Sequence, residues 1–358
     1  MNFKRYDSIL EIKEIWERIY NASACMTFFQ SYNWNLILEK KYVSEHFFKY
    51  NGDQLSYFVF DNKIIAPLLI NKKKRTIILL GQNASSDYLS FVFSEVDYVC
   101  MLDVFKTLSS VYNGYTFILD KISEYNPVNK VCDQICKYSG FSIEEKDCVH
   151  VLTQTGTSLF FNSLKKSTKR NYKTRRNHLL RDDCSFHFEI TNEPLSSKEC
   201  EALYSIYTER RNDCQNNEMT IKRKAKKAAV SGLKSFGLYN SIDVLSEYSM
   251  ENKVFLCRFY INDDIAAFYE GVLNADKRLA HIARVSINIR YYQYSPGMIM
   301  LIDAMDEIKQ YVDCFDLTRG TEDYKFELGG HIHHNYKYTI PLSELLFRDE
   351  LKEIILKL

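Results

Sequence analysis

Two stretches of this chain repeat one pattern, and that pattern limits the fold. "LSYFVFDNKIIAPLLINKKKRTIILLG", residues 55–81, holds three apolar runs split by short polar turns at Asp61-Asn62 and Asn71-Lys72-Lys73. Residues 254–287 do the same in "VFLCRFYIND", "DIAAFYEGVLNADKRL" and "LAHIARVSI". Apolar runs joined by such turns form antiparallel hairpin meanders. Helical periodicity flanks both. Ile9, Leu10, Ile12, Ile15, Trp16 and Ile19 recur at helical spacing, as do Trp34, Leu36, Ile37 and Leu38. Residues 100–112, 127–139 and 196–212 also read as helices. Each half therefore runs helices, meander, helix, further strands. This implies an α+β fold of two similar domains with mixed, mostly antiparallel sheets, not a doubly wound parallel one. The boundary is expected near residue 155.

The chain has 358 residues, enough for two domains. Hydrophobic residues are 46% and charged residues 26%, the balance of a globular protein that buries a full core. A net charge of +1 argues against a molecule built as a whole to bind polyanions, so any basic patch is local. Two such patches exist. "SLFFNSLKKSTKRNYKTRRNHLLRDD" reads as one long helix, its start capped at Asn162 or Ser163, with eight cations from Lys165 to Arg181. "TIKRKAKKAAVSGLKSF" reads as a second basic helix. The 10 cysteines contain no CxxC pair, as expected of reduced thiols. The N-terminal residues lack the apolar core of a signal peptide, and no apolar run approaches a membrane span. A cytoplasmic protein is the expectation.

Two stretches read as sites. In "YYQYSPGMIMLIDAMDEI", Ser295 fits an N-cap and Pro296 the first helical position. Gly297 leaves the backbone bare, and N–H groups at Gly297, Met298 and Ile299 would point out of the helix start, where anions bind. In "FDLTRGTEDYKFELGG", residues 315–330, an apolar strand runs straight into Arg319, Glu322, Asp323 and Lys325, with Tyr324 and Phe326 among them. Asp316 and Thr318 are expected on one face of that strand, Leu317 and Arg319 on the other. Gly320 permits a sharp turn. His331 and His333 share a strand face, but without partners of the right type no metal site is expected. There is no GxSxG, P-loop or GxGxxG motif.

Together these stretches resemble the C-terminal signature of the CelD-like acyltransferases of the GNAT superfamily. "FFQSYNWNLIL", "LLGQNASSDYLSF" and the first basic helix are similar to other parts of that family, so the resemblance covers most of the chain. It implies two GNAT-like domains, 1–155 and 156–358, the second an acyltransferase domain. It implies acetyl-CoA or another acyl-CoA as co-substrate, its pyrophosphate held at Tyr294, Ser295, Pro296, Gly297, Met298 and Ile299. It places Asp316, Arg319, Glu322, Tyr324 and Lys325 where donor and acceptor meet. Asp316 is the first choice as base, with Glu322 and Glu270 behind it. Lys325 or Arg319 would steady negative charge, and Tyr324 would protonate the thiolate. A sugar or glycan precursor, nucleotide- or lipid-linked, would meet Arg170, Arg175 or Arg176, and the Gly…Asp-Tyr loop adds Asp87 and Tyr88. The chain departs from the GNAT pyrophosphate loop in having one Gly in "QYSPGM". "YKFELGG" is also similar to an element of the FemABX transferases, which implies aminoacyl-tRNA as the alternative donor. Nucleic acid is otherwise not an expected partner. A non-catalytic pair of domains that binds RNA or a protein is the remaining alternative.

Overall fold

A computed structural model describes residues 2–49, 53–82, 86–152, 160–193, 196–215, 254–274, 278–343 and 349–358. The fold is α+β, with mixed sheets flanked by helices. The chain forms two compact units, Met1–Asp147 with His333–Leu358, and Cys148–Ile332. They are not simply consecutive halves: the expected boundary at 155 lies outside the described residues, and the C-terminal segment belongs to the first unit.

In the first unit β1 (Phe3–Tyr6), β2 (Asp53–Phe60), β3 (Ile64–Asn71) and β4 (Thr76–Leu79) pair antiparallel in order. The short β5 (Val92–Phe93) joins the edge of β3. After the helix Tyr98–Val111, β6 (Thr116–Ser123) lies parallel to β4. The second unit repeats this order. β8 (Phe186–Thr191), β9 (Val254–Ile261), β10 (Asp264–Asn274) and β11 (Leu279–Ile287) form the antiparallel meander. After the helix Pro296–Ile308, β12 (Cys314–Arg319) lies parallel to β11. The next strands change places. β7 (Ile143–Leu152), which follows β6 in the chain, pairs with β12 from Cys148 onward. β13 (His331–Pro341), which follows β12, pairs with β6. That exchange of backbone hydrogen bonds is why residues 333–358 group with the first unit.

The meanders and most helices lie where periodicity expects them. The first basic helix differs. It is two pieces, Phe160–Ser163 and Lys166–Arg181. The Phe160 and Phe161 amides both donate to the Asp306 carboxylate, and Phe160 and Leu164 are buried in the core. The chain breaks step to bury those two side chains. The second basic stretch, 220–236, lies outside the described residues. Among the described residues no helix is long and apolar enough to cross a membrane.

In the second unit the sheet has two distinct faces. Phe259, Ala267, Tyr269, Ala280, Ile282, Phe315 and Leu317 pack with Ile299, Met300 and Leu301 of the helix Pro296–Ile308. Leu256 and Phe268 pack on the other face, with Cys200 and Leu203 of the helix Ser197–Gln215. Arg176 ties the basic helix to the Pro296–Ile308 helix. Its Nη1 donates to Asp303 at 2.9 Å and to the Tyr172 hydroxyl at 2.7 Å, and its guanidinium lies over the Phe186 ring. Charge-assisted bonds of this kind are each worth roughly 1.5–3 kcal/mol. Arg176→Met is therefore expected to lower stability by about 1–3 kcal/mol, seen as a lower urea midpoint with an unchanged slope. A midpoint equal to wild type would show that this lock contributes nothing.

Candidate active site

β11 and β12 pair at only three positions, Leu279↔Cys314, Ala280↔Phe315 and His281↔Asp316, and then part. Both strands carry a local cause. In β11, Ile282 faces Gly271 and Arg284 faces Glu270, so Ala283 is an extra residue in a bulge. Bulges bend a strand and sharpen its twist. In β12 the backbone turns left-handed at Thr318 (φ 59°) and Gly320 (φ 97°), and the register with β7 slips between Asp316 and Arg319. The strict alternation expected from Asp316 to Arg319 therefore fails. The Thr318 amide donates to Asp316 Oδ1 at 2.8 Å, which holds the start of the turn.

Lys325 holds the rest. It follows from the short helix Asp323–Glu327 and is only 2% exposed. Its Nζ donates to the carbonyls of Arg319 (2.7 Å), Gly320 (3.1 Å) and Thr318 (3.3 Å), and lies 2.9 Å from Glu322 Oε2. Three consecutive carbonyls beyond the last residue of β12 that pairs with β11 are gathered on one ammonium. Much of the charge in 315–330 is thus committed to folding the turn. Lys325 is not open to grip an acceptor or an oxyanion.

Beside the end of β11 that has left β12 lies a cleft of about 730 Å³. Val285, Ser286 and Ile287 of β11 line it, with Ser295, Gly297, Met298 and Leu301 of the following helix, Glu322 and Tyr324 beyond β12, and Arg175, Arg210, Tyr292 and Gln293. Ser286 is buried, and its hydroxyl has no hydrogen-bond partner among the described residues. Burial, with Glu322 adding to it, pushes the Tyr324 phenol well above the ordinary range, so it stays protonated at neutral pH. Arg175 donates to the Gln293 carbonyl at 2.6 Å, and Arg210 lies over the Tyr292 ring.

The helix start differs from its sequence reading. Ser295 is the N-cap residue and Pro296 the first helical residue, but Ser295 is left-handed (φ 49°) and makes no side-chain cap bond. The Met298 and Ile299 amides both donate to the Ser295 carbonyl, at 3.1 and 3.3 Å, and so do not point outward unpaired. Gly297 has a packing reason as well: a Cβ there would come 2.9 Å from Ile287 Cγ2.

The face away from the Pro296–Ile308 helix is polar around the fork. Asp316 Oδ2 lies 3.2 Å from His281 Nδ1, and both residues are buried. Across β12, His150 of β7 is the residue opposite Asp316, and its ring lies near that of His331. One strand further, Glu270 is 2% exposed and accepts from Arg284 at 2.8 Å. Burial raises the Glu270 carboxyl above its ordinary value, and Arg284 only partly opposes this. The Arg284 guanidinium sits over the Tyr207 ring of the helix Ser197–Gln215.

Thus Ser295, Gly297, Met298, Glu322, Tyr324 and Arg175 share one cleft lining. Tyr294 is buried and donates to Asp182, Pro296 is buried, and Ile299 is in the core. Arg170 lines a neighbouring depression of about 400 Å³ with Arg175 and His178. Asp87 and Tyr88 lie in the first unit. Asp87 is 4.0 Å from the buried Lys121, and the Tyr88 hydroxyl is 3.4 Å from His333. Sequence reasoning missed Arg210, Ser286 and His281. Only for His281 was there a signal: it sits mid-strand among small and apolar residues in "LAHIARVSI". Among the described residues one group has metal-ligand spacing, Glu145, Asp147 and His334 in the first unit, where His334 Nδ1 lies 3.5 Å from Glu145 and 3.3 Å from Asp147.

Replacing Lys325 tests what holds the turn. Lys325→Met leaves buried carbonyls without a donor and is expected to cost about 3 kcal/mol. Glu322→Gln, at an exposed partner, is expected to cost under about 1 kcal/mol. Equal and small losses in urea unfolding would show that the clamp is not needed.

Residues 166–326 match the family model described as an acetyltransferase (GNAT) domain. No curated protein matches the chain. Among solved structures, FemX is similar with a TM-score of 0.57 at 8% identity, over 95% of this chain and 98% of that one. The C-terminal DUF2156 domain of a putative lysylphosphatidylglycerol synthetase from Agrobacterium fabrum gives 0.55 at 10% identity, over 95% and 94%. A conserved protein of unknown function from Bacteroides thetaiotaomicron gives 0.53 at 9% identity, over 95% and 100%. At such identities the likeness is one of fold. The family match covers the basic helix, the second meander, the parted strands and the turn beyond them; those residues form a GNAT-type acetyltransferase domain, and the protein is an acyltransferase.

Proposed function

We propose that the enzyme takes an acyl group from acetyl-CoA or another acyl-CoA and transfers it to an amine or hydroxyl of a sugar or glycan precursor in the cytoplasm. One observation carries the donor: β11 loses its parallel partner after His281, beside a cleft that leads to a helix start and two arginines. From His281 to Ile287 is six residue rises, about 20 Å at ~3.3 Å each. An extended pantetheine arm can lie along such an edge, with the buried Ser286 hydroxyl as a further polar partner. Arg175 and Arg210 offer cations for the phosphates, as guanidinium forks do, and the Gly297 backbone adds the start of the helix dipole. Tyr324, protonated and on the cleft wall, is the group we assign to the departing thiolate. Glu322 is exposed and engaged with Lys325, and Glu270 is engaged with Arg284, so neither is preferred as base. The acceptor class rests on the resemblance to CelD-like enzymes. Arg170, Arg175 and His178, around the neighbouring depression, are the groups we assign to an acceptor phosphate.

A second reading keeps the transferase and changes the donor to aminoacyl-tRNA. The exposed cations of the helix Lys166–Arg181 favour it. Calorimetry separates the two. Wild type is expected to bind acetyl-CoA, and Arg210→Gln to weaken binding about tenfold, or ~1.4 kcal/mol, with an unchanged melting temperature. Absence of acetyl-CoA binding at millimolar concentration, together with retention of aminoacyl-tRNA, would replace the first reading with the second.

A further inference from the structure

We infer that His281, held by Asp316, is the base that takes the acceptor's proton, and that Asp316 is a positioning residue rather than the base itself. The inference rests on the acyl-transfer reading above and adds the residue that activates the acceptor.

Three observations carry it. First, His281 and Asp316 form the last pair before the strands part, so they mark the closed end of the fork. A thioester carried along β11 from the helix start reaches its inner end there. Second, both side chains leave the sheet on the face away from the Pro296–Ile308 helix. Their neighbours Ala280, Ile282, Phe315 and Leu317 pack toward that helix, and alternation turns His281 and Asp316 the other way. Donor and acceptor would then approach the fork from different sides. Third, the Asp316 carboxylate is already committed. Oδ1 accepts the Thr318 amide at 2.8 Å, and Oδ2 lies 3.2 Å from His281 Nδ1. In the tautomer with its proton on Nδ1, His281 donates to Asp316 and turns Nε2 into the proton acceptor. A carboxylate that fixes an imidazole's tautomer and supports the imidazolium is a recurrent arrangement in general base catalysis.

At 3% exposure, His281 is shielded from bulk water. His150, half-buried and opposite Asp316 on β7, and the exposed His331 beside it continue the row outward. The step balances without any further reagent. The acceptor nitrogen or oxygen forms its bond to the acyl carbon, and its proton passes to His281 Nε2. The carbon–sulfur bond breaks, and the CoA thiolate takes a proton from Tyr324. The proton on His281 then returns through solvent to the tyrosinate.

The test uses His281→Gln and Asp316→Asn in the full chain. Calorimetry with acetyl-CoA comes first, because donor binding does not need the base. Both variants are expected to bind within threefold of wild type. Thiol release is then followed with a panel of amino- and hydroxy-sugars, and with hydroxylamine, which is unprotonated at neutral pH. His281→Gln is expected to lose roughly 10²–10⁴ in kcat toward the sugars and less than about threefold toward hydroxylamine. Equal rates for wild type and His281→Gln toward the sugars would overturn the inference. So would an equal loss toward hydroxylamine, which points to distortion of the fold. Nitrogen NMR of the imidazoles needs neither donor nor acceptor. The His281 signal, identified by its loss in His281→Gln, should show the Nδ1–H tautomer at neutral pH in wild type and change in Asp316→Asn. An Nε2–H tautomer in wild type overturns the inference even if no panel acceptor reacts. Failure of acetyl-CoA to bind wild type would instead strike the donor reading, and the NMR result would still decide the role of His281.

Discussion

Two parallel strands that pair for three residues and then separate leave backbone groups without their ladder partners, and the candidate site of this protein is built around that shortage. Buried N–H and C=O groups must find partners or carry a cost of roughly 1–3 kcal/mol each. On the β12 side the solution is internal. Lys325 collects the carbonyls of Thr318, Arg319 and Gly320, and Asp316 takes the Thr318 amide. On the β11 side the three terminal residues face a cleft. The two sides differ: one is completed by the protein's own lysine, the other lines the cleft.

The same shortage explains why charge is so dense between residues 315 and 330. A lysine that replaces a ladder must be buried, and a buried ammonium requires nearby acceptors. Glu322 and three carbonyls supply them. Other charges that look equivalent along the chain divide in the same way. Arg176 is spent on Asp303 and Tyr172, and Arg284 on Glu270, whereas Arg175 and Arg210 face the cleft. Nothing in their spacing along a helix separates neighbours such as Arg175 and Arg176. What separates them is that an α-helix turns by about 100° per residue, so one faces the Pro296–Ile308 helix and the other the cleft.

The repeat in the sequence is a real structural repeat. Each unit has a four-strand antiparallel meander followed, after a helix, by a strand parallel to its last member. The strand exchange that sends β7 to β12 and β13 to β6 left no local trace. Strand pairing between segments roughly 160 to 225 residues apart follows from edge complementarity, which periodicity within one segment does not encode.

By itself the sequence determined the local elements. The hairpin turns at Asp61-Asn62 and at Asn262-Asp263, the proline at the first position of the Pro296–Ile308 helix, and the strand Cys314–Arg319 were all legible, because turn chemistry and apolar period act within a few residues. The resemblance carried by 291–330 was legible for the same reason, as a contiguous signature. Tertiary structure alone decided which charged groups are committed to the fold and which line the cleft. It buried Lys325, engaged the amides of Met298 and Ile299, filled the space at Gly297 with Ile287, and set His281 beside Asp316 from a strand 35 residues away. Each of those outcomes depends on burial and cross-strand register. These are properties of the packed sheet, and no single segment contains them.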